Sequence, residues 1–145
     1  MNIYTSEIVN KISGNKEVIT SFLNNLSYSN DGNIWMINGP KGIGKSLLVK
    51  LITSNLLDIK YKDSKLENFF HPDLIILNKN DNKKFISVEE IRGLKRLFFK
   101  TSYSGSYRVA IIDSINELNL YGHNALLKTI EEPPKGSFIF IIDHQ

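Results

Sequence analysis

The sequence predicts an α/β fold: a parallel sheet with helices packed on both of its faces. Three features predict it, namely short wholly apolar runs, amphipathic segments at helical spacing between them, and a glycine-rich stretch joining the first run to a helix. Runs that are apolar throughout suit strands buried on both faces, and parallel strands need crossover helices that pack right-handed onto the sheet.

Along the chain, Val18, Ile19, Phe22, Leu23 and Leu26 recur at helical spacing between about Asn15 and Tyr28, ahead of the Ser-Asn-Asp-Gly cluster of Ser29 to Gly32. Ile34 to Ile37 is an apolar run with turn residues on both sides, the first strand. The glycine-rich turn then leads into a helix from Ser46 to Leu57, with Leu47, Leu48, Leu51, Ile52 and Leu56 on its apolar face. Asp58 to His71 is polar and irregular and reads as a connection. Leu74 to Leu77 is the second strand, followed by a polar, hairpin-like stretch from Asn78 to Lys84. Ser87 with Glu90 forms a capping box, and Val88, Ile91, Leu94 and Phe98 keep one face apolar, so a helix runs from Ser87 to about Lys100. Gly105 and Ser106 punctuate, and Val109 to Ile112 is the third strand. Ala125 to Ile130 lies in a short helix stopped by Pro133 and Pro134, and Phe138 to Ile142 is the fourth strand. Trp35 and the phenylalanines are expected in the core.

A chain of 145 residues suits one domain. With 41% hydrophobic and 23% charged residues it has a globular composition, neither disordered nor collagen-like. Its longest wholly apolar run, Phe138 to Ile142, is far short of the roughly 18 residues a membrane span needs. The N-terminal stretch lacks the apolar core of an export signal, so a cytoplasmic location is expected. Without Cys there is no disulfide framework, thiolate metal site or cysteine nucleophile. The net charge of +3 is concentrated between Lys79 and Lys100. There Arg92, Lys95, Arg96 and Lys100 fall on the helix face opposite the apolar stripe, either as a solvated surface or as a contact face for DNA phosphates or an acidic partner.

The stretch Gly39-Pro40-Lys41-Gly42-Ile43-Gly44-Lys45-Ser46 fits the phosphate-binding loop. Its glycines let successive backbone N–H groups point inward, and the helix that begins near Lys45, Ser46 and Leu47 adds its positive end. In this pattern Lys45 reaches the β- and γ-phosphates and Ser46 ligates Mg²⁺. Asp113, closing an apolar strand, is the carboxylate that holds Mg²⁺ through water. Ser114 follows it, and a hydroxyl is no efficient general base at neutral pH; Glu117 lies further along. No catalytic residue is assigned. His71, His123 and His144 lack metal-ligand spacing and read as structural or surface residues. Glu131 and Glu132 are adjacent on a helix and so do not converge.

The block Asn124-Ala125-Leu126-Leu127-Lys128-Thr129-Ile130-Glu131-Glu132-Pro133-Pro134 is similar to a signature of bacterial clamp-loader subunits, AAA+ proteins of the DNA polymerase III holoenzyme. Supporting matches are His71-Pro72-Asp73-Leu74, Ile86 to Arg92, Gly105 with Arg108, and Ile12 to Asn15, so the resemblance covers nearly the whole chain. It is nearest to the delta-prime type. The resemblance implies a three-layer P-loop NTPase (AAA+) fold, with residues 1–145 forming a nucleotide-binding module that stops before the fifth strand, the lid and the collar domain. The family's sheet order 5-1-4-3-2 becomes 1-4-3-2, leaving the strand from Ile34 to Ile37 as an apolar edge.

It further implies Mg-ATP as cofactor, with Asp143 near the place of a γ-phosphate sensor. No zinc is expected, because Asp58 to His71 lacks the cysteines that many such modules carry there. The implied partners are gamma/tau and delta type subunits and, through the complex, the sliding clamp and primed DNA. The implied role is a stator-like subunit with little or no ATP hydrolysis. Two alternatives remain at this level: a small P-loop nucleotide kinase, which leaves the Asn124 to Pro134 block unexplained, and a truncated fragment without function.

Overall fold

A computed structural model describes residues 5–28, 31–59, 69–79, 84–103 and 107–144. The elements in chain order are α1 (Thr5–Lys11), α2 (Lys16–Tyr28), β1 (Asn33–Asn38), α3 (Lys45–Leu56), β2 (Leu74–Asn78), α4 (Val88–Phe99), β3 (Arg108–Asp113), a 3₁₀ turn (Ile115–Glu117), α5 (Leu120–Ile130) and β4 (Ser137–Asp143). All strand pairs are parallel, as the sequence pattern implies, and their order is β1-β4-β3-β2, as the family resemblance implies. Much of the Asp58 to His71 connection, part of the Asn78 to Lys84 stretch, and Gly105 with Ser106 lie outside the described residues.

Side-chain alternation divides the strands between two cores. Val109, Ile111, Phe138, Phe140 and Ile142 face α1, α2 and α3, meeting Leu23, Leu26, Val49 and Ile52. Ala110, Ile112, Ile139 and Ile141 face α4 and α5, meeting Ile91, Leu94, Phe98 and Leu126. All seven residues of β4 are buried, which is why Phe138 to Ile142 is apolar without alternation between the polar ends Ser137 and Asp143. On β1, Trp35 and Ile37 pack on the first core, with Trp35 edge-on to Phe22 at 4.9 Å between ring centroids. Ile34 and Met36 point to the other face and are exposed, so β1 is an apolar edge of the described sheet, as the family resemblance implies.

Local signals account for most boundaries. The Ser87 hydroxyl accepts from the Glu90 N–H while the Glu90 carboxylate accepts from the Ser87 N–H, the predicted capping box that starts α4. Helix α5 begins at Leu120, a turn or more before the expected segment, because the Asn119 side chain caps it by accepting from the Gly122 N–H at 2.8 Å. Beyond α5, the Pro133-Pro134 corner packs against Gly32, where a Cβ would stand 2.7 Å from the Pro134 carbonyl oxygen. Helix α1 is an addition to the expected elements. Phe70, Phe85 and Phe99 are exposed, in contrast to the expectation that the phenylalanines are core.

Candidate functional site

The strands end together at one edge of the sheet, and the loop residues Gly39 to Ser46 gather there with Asp113 and Asp143. Gly39 follows β1, Asp113 ends β3 and Asp143 ends β4; register sets Asn38 opposite Asp143 and Asp113 opposite Ile142. In open parallel sheets this carboxyl edge is where ligands bind. The Gly39–Ser46 segment turns from β1 into α3, with Gly42 and Gly44 at φ 88° and 93°, a region closed to most L side chains. A Cβ on either would meet nothing within 4 Å, so space lies beside both backbones. Gly44 is the N-cap of α3 and provides no side-chain hydrogen bond to its first amides.

Inside the loop, Lys45 is 5% exposed and its Nζ donates to the carbonyls of Gly39 and Pro40, each at 2.6 Å. Ser46 Oγ donates to Asp113 Oδ2 at 2.5 Å, which ties the first turn of α3 to the end of β3. Asp113 Oδ1 accepts from His144 Nε2 at 2.8 Å. Both oxygens of this carboxylate are therefore engaged, one by the loop helix and one by the residue following β4.

The neighbours of Asp113 are committed to other tasks. Ser114 is buried, and its Oγ accepts from the Asn116 N–H to cap the 3₁₀ turn. Glu117 Oε2 accepts from the Lys79 N–H at 3.0 Å, beyond the end of β2. Asp143 is 8% exposed, and its Oδ1 finds no hydrogen-bond partner among the described residues. By the alternation that sends Ile139 and Ile141 toward α4 and α5, its side chain leaves β4 on the face opposite Asp113. His144, one residue on, returns to the face of Asp113. Sequence reasoning missed this histidine at the site, since no spacing signal marks it; the β3–β4 register alone brings it there.

Beside the loop lies a cavity of about 710 Å³ between the α1–α2 connection, the start of α2 and the end of β1. Its apolar lining includes Ile12, Val18, Ile19, Ile37, Ile43 and Leu47. On the opposite layer, a groove of about 620 Å³ between α4 and α5 gathers Arg92, Lys95 and Lys128 with Tyr121 and Asn124. Arg92 and Arg96 pair with Glu89 at 3.0 and 3.7 Å; Arg96 and Lys100 do not line this groove. His71 Nδ1 accepts from the Asp73 N–H and His123 Nδ1 lies 3.0 Å from the Asn119 carbonyl, both local structural contacts. Among the described residues no cluster of His, Cys, Asp and Glu has the geometry of a protein-only metal site, and no helix is long and apolar enough to cross a membrane.

A parallel sheet of order β1-β4-β3-β2, with a glycine loop from β1 into α3 and a carboxylate at the end of β3 against the loop serine, defines the P-loop NTPase class of α/β fold. A family model described as DNA polymerase III, delta subunit, matches residues 14–145, and the chain belongs to that family. It is 29% identical over 135 residues to DNA polymerase III subunit gamma of Buchnera aphidicola subsp. Schizaphis graminum, covering 86% of this chain and 36% of the relative. It is 28% identical over 121 residues to subunit delta' of Pseudomonas aeruginosa, covering 77% and 37%. To subunit delta' of the same Buchnera it is 32% identical over 121 residues, covering 75% and 36%. The chain thus spans a little over a third of the length of these relatives. A solved gamma subunit-related DNA polymerase III protein of Thermotoga maritima shares the fold, with a TM-score of 0.65 at 14% identity over 85% of this chain and 38% of that one.

Proposed function

We propose that the chain is the nucleotide-holding module of a delta-prime-like clamp-loader subunit of DNA polymerase III, one that binds Mg-ATP and hydrolyses it poorly or not at all. The observation that carries this reading is the Ser46–Asp113 contact beneath the loop, combined with the commitment of Ser114 and Glu117 elsewhere. A hydroxyl and a carboxylate meeting at the start of α3 suit Mg²⁺, which keeps several waters and takes phosphate oxygens rather than an all-protein cage. When bound, Mg²⁺ neutralises charge on the β- and γ-phosphates.

The chain's own residues hold the nucleotide. The uncapped amides of α3 and the open space beside Gly42 and Gly44 accept the phosphates, and Lys45 exchanges the Gly39 and Pro40 carbonyls for phosphate oxygens. The cavity walled by Ile12, Ile19 and Ile43 takes the base and ribose. Nothing in the 114–117 segment is left to polarise an attacking water, since Ser114 caps a turn and Glu117 holds the Lys79 amide.

In this role the module is a rigid member of an assembly with gamma/tau and delta type subunits that load the sliding clamp on primed DNA in the cytoplasm. The Arg92, Lys95 and Lys128 groove is its surface toward DNA phosphates. Family membership accounts for the Asn124 to Pro134 block, which a small nucleotide kinase does not.

The test is calorimetry of Mg-ATP on the chain and on Lys45→Ala, with a phosphate-release assay on the same samples. The expected result is binding by the unmodified chain, weakened about 100-fold by Lys45→Ala through loss of its charge-assisted contacts, without appreciable turnover. Robust turnover overturns the stator reading, and absence of binding by the folded chain overturns the nucleotide reading. Co-purification with gamma/tau and delta type subunits is the corresponding test of assembly.

A further inference from the structure

His144 enters the site through strand pairing, not through any motif of the sequence. The even-numbered residues of β4, Phe138, Phe140 and Ile142, face α3, and the same alternation carries the next even residue over the end of β3. There its Nε2 donates to Asp113 Oδ1 at 2.8 Å while Ser46 donates to Asp113 Oδ2 at 2.5 Å. A carboxylate held at one oxygen can swing about its Cβ–Cγ bond; one held at both has a fixed plane. The ring is in turn held by Asp113 alone, because Nδ1 is buried without a partner among the described residues. The two side chains are 23% and 26% exposed, and with the Ser46 hydroxyl they form a chain of side-chain contacts from the residue after β4, through the end of β3, to the loop helix.

We propose that His144 is a positioning residue for the magnesium side of the site: it fixes the plane of the Asp113 carboxylate so that Oδ2 stays directed at Ser46. The inference rests on the nucleotide reading above and deepens it. It assigns to His144 a contribution to the magnesium-dependent part of nucleotide affinity, and none to the contacts of Lys45 or the loop amides with phosphate. Partners that orient metal-associated groups typically contribute about 10- to 100-fold to metal affinity.

The test compares ATP affinity in excess Mg²⁺ and in EDTA by calorimetry, for the unmodified chain, His144→Phe and His144→Gln. Phe keeps a ring of similar size and loses the N–H; Gln restores an N–H donor at similar reach. The expected result is an affinity about tenfold lower in Mg²⁺ for His144→Phe, with affinity in EDTA unchanged and the Mg²⁺ effect recovered in His144→Gln. An unaltered Mg²⁺ effect in His144→Phe overturns the proposal, as does equal weakening in Mg²⁺ and in EDTA, which marks a merely structural role. If the unmodified chain binds no ATP in either condition, the nucleotide reading itself fails, and this role with it. A thermal melt of each variant accompanies the titrations, and His144→Gln carries the test if His144→Phe is unfolded: a Mg²⁺ effect more than about tenfold below that of the unmodified chain is then contrary to the proposal.

Discussion

Arg108 shows how much one side chain at a strand start can hold together. Its guanidinium donates to the carbonyls of Phe98 and Lys100, which end α4, and to that of Lys135, which precedes β4. Those carbonyls lie where a helix and a loop leave acceptors unsatisfied, so Arg108→Ala is expected to lower stability by about 2 kcal/mol, read by urea unfolding. Asp73, 3% exposed, does similar work by accepting from the Tyr103 N–H at 2.8 Å, and Asp73→Ala should cost about 1–3 kcal/mol in the same assay. Legibility at this scale is uneven. Lys45, Ser46 and Asp113 are readable because they sit in a spaced motif and at the end of an apolar run. His144 is not, because its role depends on the pairing of β3 with β4, and Glu117 is acidic in the right neighbourhood yet turned toward Lys79.

At the scale of elements, α4 is the most legible piece, since its capping box and apolar stripe are both written in the chain. Ser87→Ala removes one half of that box and should destabilise by about 1 kcal/mol in chemical denaturation, with no change in nucleotide affinity. The first turn of α5 was hidden because Leu120 and Tyr121 are exposed and residue Gly122, three after the Asn119 cap, offers no answering side chain. Helix α1 was hidden because it is seven residues long and buries chiefly Ile8. Gly32 carries a further expectation. Gly32→Ala sets a methyl against the Pro133 and Pro134 carbonyls, at 2.8 and 2.7 Å, and should cost about 1–3 kcal/mol in thermal unfolding. If the α4–α5 groove faces DNA phosphates, replacing Lys95 and Lys128 by Ala should weaken binding of primed DNA by the assembled complex uniformly across sequences. Each loss should lower the salt slope by about 1.

For the whole molecule, the central strand links core and site. Because β4 is buried on both faces, its residues read as a continuous apolar run, whereas the sheet order β1-β4-β3-β2 is legible only through the family resemblance and not from the apolar runs themselves. Packing then fixes where the carboxyl ends of β1, β3 and β4 converge, which is what assembles the loop, Asp113 and His144. The measurement that tests the central claim most directly is amide hydrogen exchange along the chain with and without Mg-ATP. The account predicts slowed exchange concentrated at the amides of Gly42 to Leu47, where the loop meets α3. Bound nucleotide with protection confined to the α4–α5 groove, or with none at Gly42 to Leu47, would contradict it.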